Sequence, residues 1–163
     1  MPKKFKLSIE LVPSTIWFSS LYKLMSRENW EQLKREVFDK EGRKCWICGS
    51  TRSPLELHEF WEYDGTNHIQ KLEGVHHLCR LCHMIKHIGL WCHTEKGLRT
   101  LKNMGLTREE LMEHFCEVNN CSKQDFLRHE KEAFMTWEKR SKFDWKQDFG
   151  KFERNLRGVS SRG

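Results

Sequence analysis

The chain has no stretch long and apolar enough to cross a bilayer. Its longest run without a charge, Leu11 to Tyr22, is twelve residues and is interrupted by Pro13, Ser14, Thr15, Ser19 and Ser20. A spanning helix needs about 20 apolar residues, and a secretory leader needs an unbroken apolar segment behind a basic start, so neither is expected. Internal repeats are absent, and so is any low-complexity segment longer than the last dozen residues. Apolar side chains are scarce as well, at 37% against 32% charged, with a mean hydropathy of -0.77. The core must therefore be modest, although the chain is too hydrophobic to stay disordered, and something besides apolar burial is expected to help hold it. At 163 residues it is too short for two full enzyme domains. One soluble, cytoplasmic folding unit is the expectation.

The residues present in excess are cations and metal-binding types. Lys and Arg number 29 against 23 Asp and Glu, a net charge of +6 that favours a polyanionic partner. Seven Cys and nine His without a secretory signal point to metal binding sooner than to disulfides, because thiols inside cells stay reduced.

Lys3 to Val12 is basic and alternates as Phe5, Leu7, Ile9 and Leu11, which predicts a short strand ended by Pro13. Ile16, Trp17 and Phe18 form a small apolar cluster. Ser26 reads as an N-cap, with Trp30, Leu33, Val37 and Phe38 at helical spacing up to Gly42. Thr107 with Glu110 reads as a capping box for a helix carrying Leu111, Met112, Phe115 and Val118. Ser122 with Asp125 caps another, on which Phe126, His129, Ala133, Phe134 and Trp137 share a face. Phe115, Phe134 and Trp137 are expected to be buried, and Lys151 to Gly163 to be a frayed basic tail. The divisions that follow are residues 1–44, an N-terminal strand and helix; 45–97, the chemically dense part; 98–150, a helical extension; and 151–163, the tail.

Cys45-Trp-Ile-Cys48 and Cys79-Arg-Leu-Cys82 are two C-x-x-C pairs separated by thirty residues. Each pair sets two sulfurs on one tight turn, and two such turns brought together close a tetrahedron around a structural zinc. The zinc would add the folding free energy that a modest core lacks. Cys116 reads as a small core residue, and Cys92 with His93 as accessory ligands at most.

Between the pairs lie a strand-like run, Leu55 to Asp64, a turn at Gly65 and a second short strand at Ile69 to Leu72. If Arg80 to Ile88 is a helix ended by Gly89, His83 and His87 stand one turn apart on one face and reach a common ion. His68, His76 and His77 are expected on the surface or a sheet face, and Trp61 and Tyr63 in the core.

At these residues the chain resembles the HNH endonuclease superfamily in its zinc-bracketed form. The resemblance rests on the two Cys pairs, the His58-Glu59 pair on a strand, and L-C-x-x-C-H at Leu78 to His83 with His87 beyond. It extends through I-E-L-V-P-S-T from Ile9, W-E-Y-D at Trp61 to Asp64, Q-K-L-E-G from Gln70, C-H-M-I-K-H-I-G from Cys82, V-N at Val118 and W-E-K-R-S from Trp137. These look like a subfamily of bacterial and phage HNH proteins and cover residues 7 to 148.

The resemblance implies an α+β fold with a ββα-metal core, bracketed by the four-cysteine zinc site and flanked by helices. It implies hydrolysis of phosphodiester bonds in DNA, expected to be double-stranded, with one divalent ion (Mg, Mn, Ni, Co or Zn) on the scissile phosphate and a residue that activates water. His83 and His87 match the helix ligands. The strand pair departs from the usual order: either His58 binds metal and Glu59 is the base, or His58 is itself the base. Consecutive strand residues face opposite ways, so both enter the site only across a bulge. The Asn of the pattern has no counterpart just before Leu78, which leaves Asn67, in the turn with Asp64, as the candidate. A zinc-stabilised module that binds nucleic acid or protein without cutting is the alternative.

Overall fold

A computed structural model of the chain describes residues 4–17 and 19–156. The fold is mixed α+β, with seven α-helices and a three-stranded sheet among the described residues. In chain order these are α1 (Leu21–Leu24), α2 (Arg27–Glu41), β1 (Leu55–Asp64), β2 (Ile69–Cys79), α3 (Arg80–Lys86), α4 (Ile88–Cys92), α5 (Glu95–Asn103), α6 (Arg108–Asn119), α7 (Lys123–Arg140) and β3 (Lys146–Asp148), with a 3-10 helix at Gly150–Asn155. None of the helices is long and apolar enough to cross a membrane.

The caps form where the sequence places them. The Ser26 hydroxyl accepts from the Asn29 N–H at 3.1 Å, and α2 stops at Gly42, whose φ of +84° suits a residue without Cβ. Reciprocal capping boxes open α6 at Thr107 with Glu110 and α7 at Ser122 with Asp125. The expected single helix at Arg80 to Ile88 is instead broken at His87, and α4 carries the chain on past Gly89.

The N-terminal alternation predicts burial correctly and pairing wrongly. Leu7 and Ile9 are buried, but no strand forms. The backbone of this segment bonds to side chains of two helices: Leu7 exchanges hydrogen bonds with the Asn119 amide, at 2.9 and 2.8 Å, and the Ile9 N–H donates to His129 Nε2 at 2.8 Å. α6 and α7 thus supply the partners that a neighbouring strand would have given. The tail reading changes too. Residues 150–155 form the 3-10 helix, Phe152 is buried, and Leu156 bridges to Met25. Arg157 to Gly163, like Phe18, lie outside the described residues.

β1 and β2 form an antiparallel hairpin, from Leu55 opposite Cys79 to Asp64 opposite Ile69, with the register shifting between Phe60 and Trp61. β3 adds in parallel to the start of β2, giving the order β1-β2-β3 and leaving β1 as an edge strand. One apolar cluster gathers Leu7, Leu78, Ile85, Leu111, Phe115 and Phe126, and the other gathers Leu33, Val37, Leu57, Val75 and Phe149. The hairpin is thus backed by α2 and the 3-10 helix on one side, and by α3 with α6 on the other. Phe115 is fully buried as expected, whereas Phe134 and Trp137 are only half-buried because their side of α7 borders an open cavity.

Candidate metal centres

Cys45 and Cys48 occupy the loop after α2, Cys79 ends β2, and Cys82 lies in the first turn of α3. The loop is shaped by three backbone bonds: Cys45 N–H to Ser50 O, Gly49 N–H to Cys45 O, and Trp46 N–H to His77 O, the last fastening it to β2. The four Sγ atoms lie within 4.8 Å of one another, and Cys48 and Cys79 are 3.6 Å apart. A tetrahedron with Zn–S bonds of about 2.3 Å sets its sulfurs about 3.8 Å apart, so the cluster is compatible with zinc. Hydrogen bonding with Cys79 and Cys82 lowers the Cys45 thiol, while the same bonds push Cys79 up to about 12 and raise Cys82 as well. A dication is the partner that lets all four ionise together.

A second group converges across the hairpin and helix. His58 of β1, His83 of α3 and His87 at the break after α3 bring ring nitrogens within 4.8 Å of one another. Burial, then the neighbouring His87, His83 and Lys86, lowers His58 well below its ordinary value, and burial likewise takes His87 down to about 4. Both rings are neutral at pH 7 and keep a lone pair for a cation. The buried Lys86 ammonium lies 3.5 Å from Glu10 and over the Phe60 ring.

Glu59 points to the other side of β1, where it accepts from the Tyr22 N–H at 3.3 Å at the start of α1. The strand alternation is intact there, since the extra residue of the bulge, Glu73, lies in β2, opposite Phe60 and Trp61. Even so, Glu59 shares a cavity of about 330 Å³ with His58, His83, His87 and Glu10. The cavity wraps around the free edge of β1, so neighbours facing opposite ways both line it, and the bulge expected from the sequence is not needed. Burial raises the Glu59 carboxyl.

Asp64 and Asn67 do not join the site. The Asp64 carboxylate accepts from the Thr66 and Asn67 N–H groups and from the Asn67 side chain, closing the hairpin turn. Asp64 lies six steps along the strand from His58, about 20 Å at 3.3 Å per residue. His68 stacks on Phe143, and His76 stacks on Trp46 with its Nδ1 2.6 Å from Glu41. His77 stands on a face of β2, outside both groups, buried and stacked on Phe38 at 3.5 Å, with burial lowering it to about 4.

Two participants are missed by sequence reasoning. Glu56 bonds to His83 Nδ1, and His114 of α6 places Nε2 3.2 Å from Cys82 Sγ. Glu56 carries a local signal, since it stands two residues before His58 and so shares its face. His114 carries none, because it approaches from 32 residues away through helix packing. Cys116 packs against the first cluster as a small core residue, and neither it nor Cys92 with His93 belongs to either group of ligands. Compared with family models, with curated proteins and with solved structures, the chain has no match in any of the three.

Proposed function

We propose that the chain is a metal-dependent HNH-type endonuclease that hydrolyses phosphodiester bonds of DNA. The observation that carries this reading is the meeting of His58, His83 and His87 on a hairpin and its following helix, braced by the cysteine cluster. Three imidazoles suit a divalent ion that keeps open positions, whereas four clustered sulfurs suit a closed structural zinc. A divalent ion held by the histidines supplies positive charge where phosphodiester cleavage develops negative charge.

The chain's own groups divide the remaining work. His58 falls with His83 and His87, so it is assigned to the ion. Glu59 is then the base: its carboxyl is raised by burial toward the range in which it takes a proton from water, and the Tyr22 N–H orients it. Nicking of supercoiled plasmid with added Mg, Mn, Ni or Co tests the reading. Wild type is expected to nick, His83→Ala to lose activity, and Glu59→Gln to lose it by about 10²-fold or more while still binding the ion. The distance of Asn67 from the histidines favours the second reading, a zinc-stabilised binding module without cleavage. DNA binding without nicking in any of the four metals would establish that module and remove the nuclease.

A further inference from the structure

Beside the histidine cavity lies a second one of about 410 Å³, between α4, α7 and the N-terminal segment. That volume is in the range of ligand pockets, about 300–1,000 Å³. Its walls are Leu11, Trp17, Leu90, Phe134 and Trp137, with few polar groups among them. The Trp137 ring is fixed by donating to Val12 O at 2.9 Å, and Phe134 meets it edge-on. Trp17 and Leu90 stay 54% and 43% exposed, so the pocket is open on that side. Gly89 forms part of the floor: a Cβ there would lie 3.4 Å from Leu11 and 3.5 Å from Phe134, so a larger side chain would intrude on the space.

The two cavities adjoin. Val12, Trp17, His87 and Leu90 line both, so His87 borders the candidate ion site and the apolar pocket alike. A ligand filling both must carry an anion that a cation can hold and, within one unit of it, a flat apolar ring. A nucleotide has that composition, and the net charge of +6 favours its polyanionic strand. A base paired in a duplex cannot enter such a pocket, because its faces are already stacked and its edge is occupied.

The geometry points to a nucleobase pocket beside the metal-ligand histidines, so that the preferred substrate presents an unpaired base next to the scissile phosphate. The identification rests on the phosphodiesterase reading above. It narrows the expectation of duplex DNA to strands that are single or locally unpaired.

The test is fluorescence anisotropy with labelled oligothymidylate, oligouridylate and the matching oligothymidylate–oligoadenylate DNA duplex, on the zinc-loaded protein without further metal. Stacking on an aromatic wall predicts single strands binding at least about fivefold tighter than duplex. Trp17→Ala and Gly89→Leu should each erase that preference, with melting temperature and zinc content as checks on folding. Trp17→Ala, at an exposed wall, decides the matter if Gly89→Leu fails to fold. Oligouridylate binding at least as tightly as oligothymidylate supports the pocket and names RNA as a source of the base. Equal affinity for single strand and duplex, or a preference that survives in Trp17→Ala, overturns the pocket. Binding to none of the three overturns the pocket and the nucleic-acid reading together. A single-strand preference in a protein that nicks no plasmid removes only the nuclease.

Discussion

His83 has two nitrogens, and Glu56 occupies one of them. With Nδ1 donating to the carboxylate, Nε2 is left for a cation, and the ring cannot turn away without breaking an ionic hydrogen bond. The same bond holds the Glu56 carboxyl below its ordinary range. Glu56→Gln is therefore expected to weaken divalent-ion binding at the histidines by about 10- to 100-fold while leaving the cysteine zinc in place. Cobalt titration followed in the visible region would read both sites, since thiolate and imidazole ligands give different spectra. Unchanged cobalt affinity at the histidines would mean that their orientation is set by packing alone. At this scale the grouping of candidate ligands is legible: C-x-x-C spacing and an i, i+4 pair are local relations that the chain writes directly. Glu59 is harder to read, because its access to the cavity depends on β1 being an edge strand, which only the whole sheet decides.

Among the elements, the N-terminal segment is held less by its own conformation than by two helices. His129 must present an unprotonated Nε2 to accept from Ile9, and its ring lies against Phe5 and Phe115. Burial lowers its pKa from 6.5; Lys86 lowers it further, and Glu132 and Glu10 oppose the shift. A folded value below the unfolded one means that the unfolded chain binds the extra proton. The contribution is complete above pH 6.5 and is lost as pH falls toward the folded value. His129→Gln keeps an acceptor without the titration. Between pH 7.5 and 5, wild type should lose more stability than the variant in urea titrations, and parallel curves would show that His129 does not govern the acid limb. His58, His77, His87 and His114 are also lowered by burial, so the difference between the two proteins is the informative quantity. The clasp also gives physical content to Ile9, Glu10 and Asn119, residues with no evident chemistry in the sequence. Ile9 and Asn119 hold the segment, and Glu10 faces Lys86. Capping boxes are readable because their partners are three residues apart, whereas a strand-like alternation cannot say whether its hydrogen bonds go to a strand or to distant side chains.

α7 extends the same argument. Its Trp137 is pinned to Val12 yet borders open space, so Trp137→Ala should cost less than the about 3–5 kcal/mol of a fully buried aromatic and should leave the zinc bound. A melting temperature equal to wild type would make the contact to Val12 dispensable, and loss of zinc would reveal a coupling that the packing does not show.

For the molecule as a whole, the cysteine cluster sits where the two apolar clusters meet. Cys45 follows α2, which packs in one cluster, while Cys45, Cys79 and Cys82 are themselves buried in the other. The backbone bond from Trp46 to His77 ties the same loop to the hairpin. Structural zinc contributes apparent binding free energies of about 10–16 kcal/mol, as large as the about 5–15 kcal/mol by which whole domains are stable. Opening the shell should therefore unfold the protein as a unit and not merely loosen one loop. Cys48→Ser removes the most exposed of the four ligands with little change in volume, so it tests the metal separately from packing. It is expected to abolish stoichiometric zinc in native mass spectrometry and to lower the melting temperature by at least about 10 °C, as a strong chelator does to wild type. One equivalent of zinc should restore the chelated wild type and leave Cys48→Ser unchanged. A chelated protein that keeps its melting temperature would show that the apolar clusters stand without the ion.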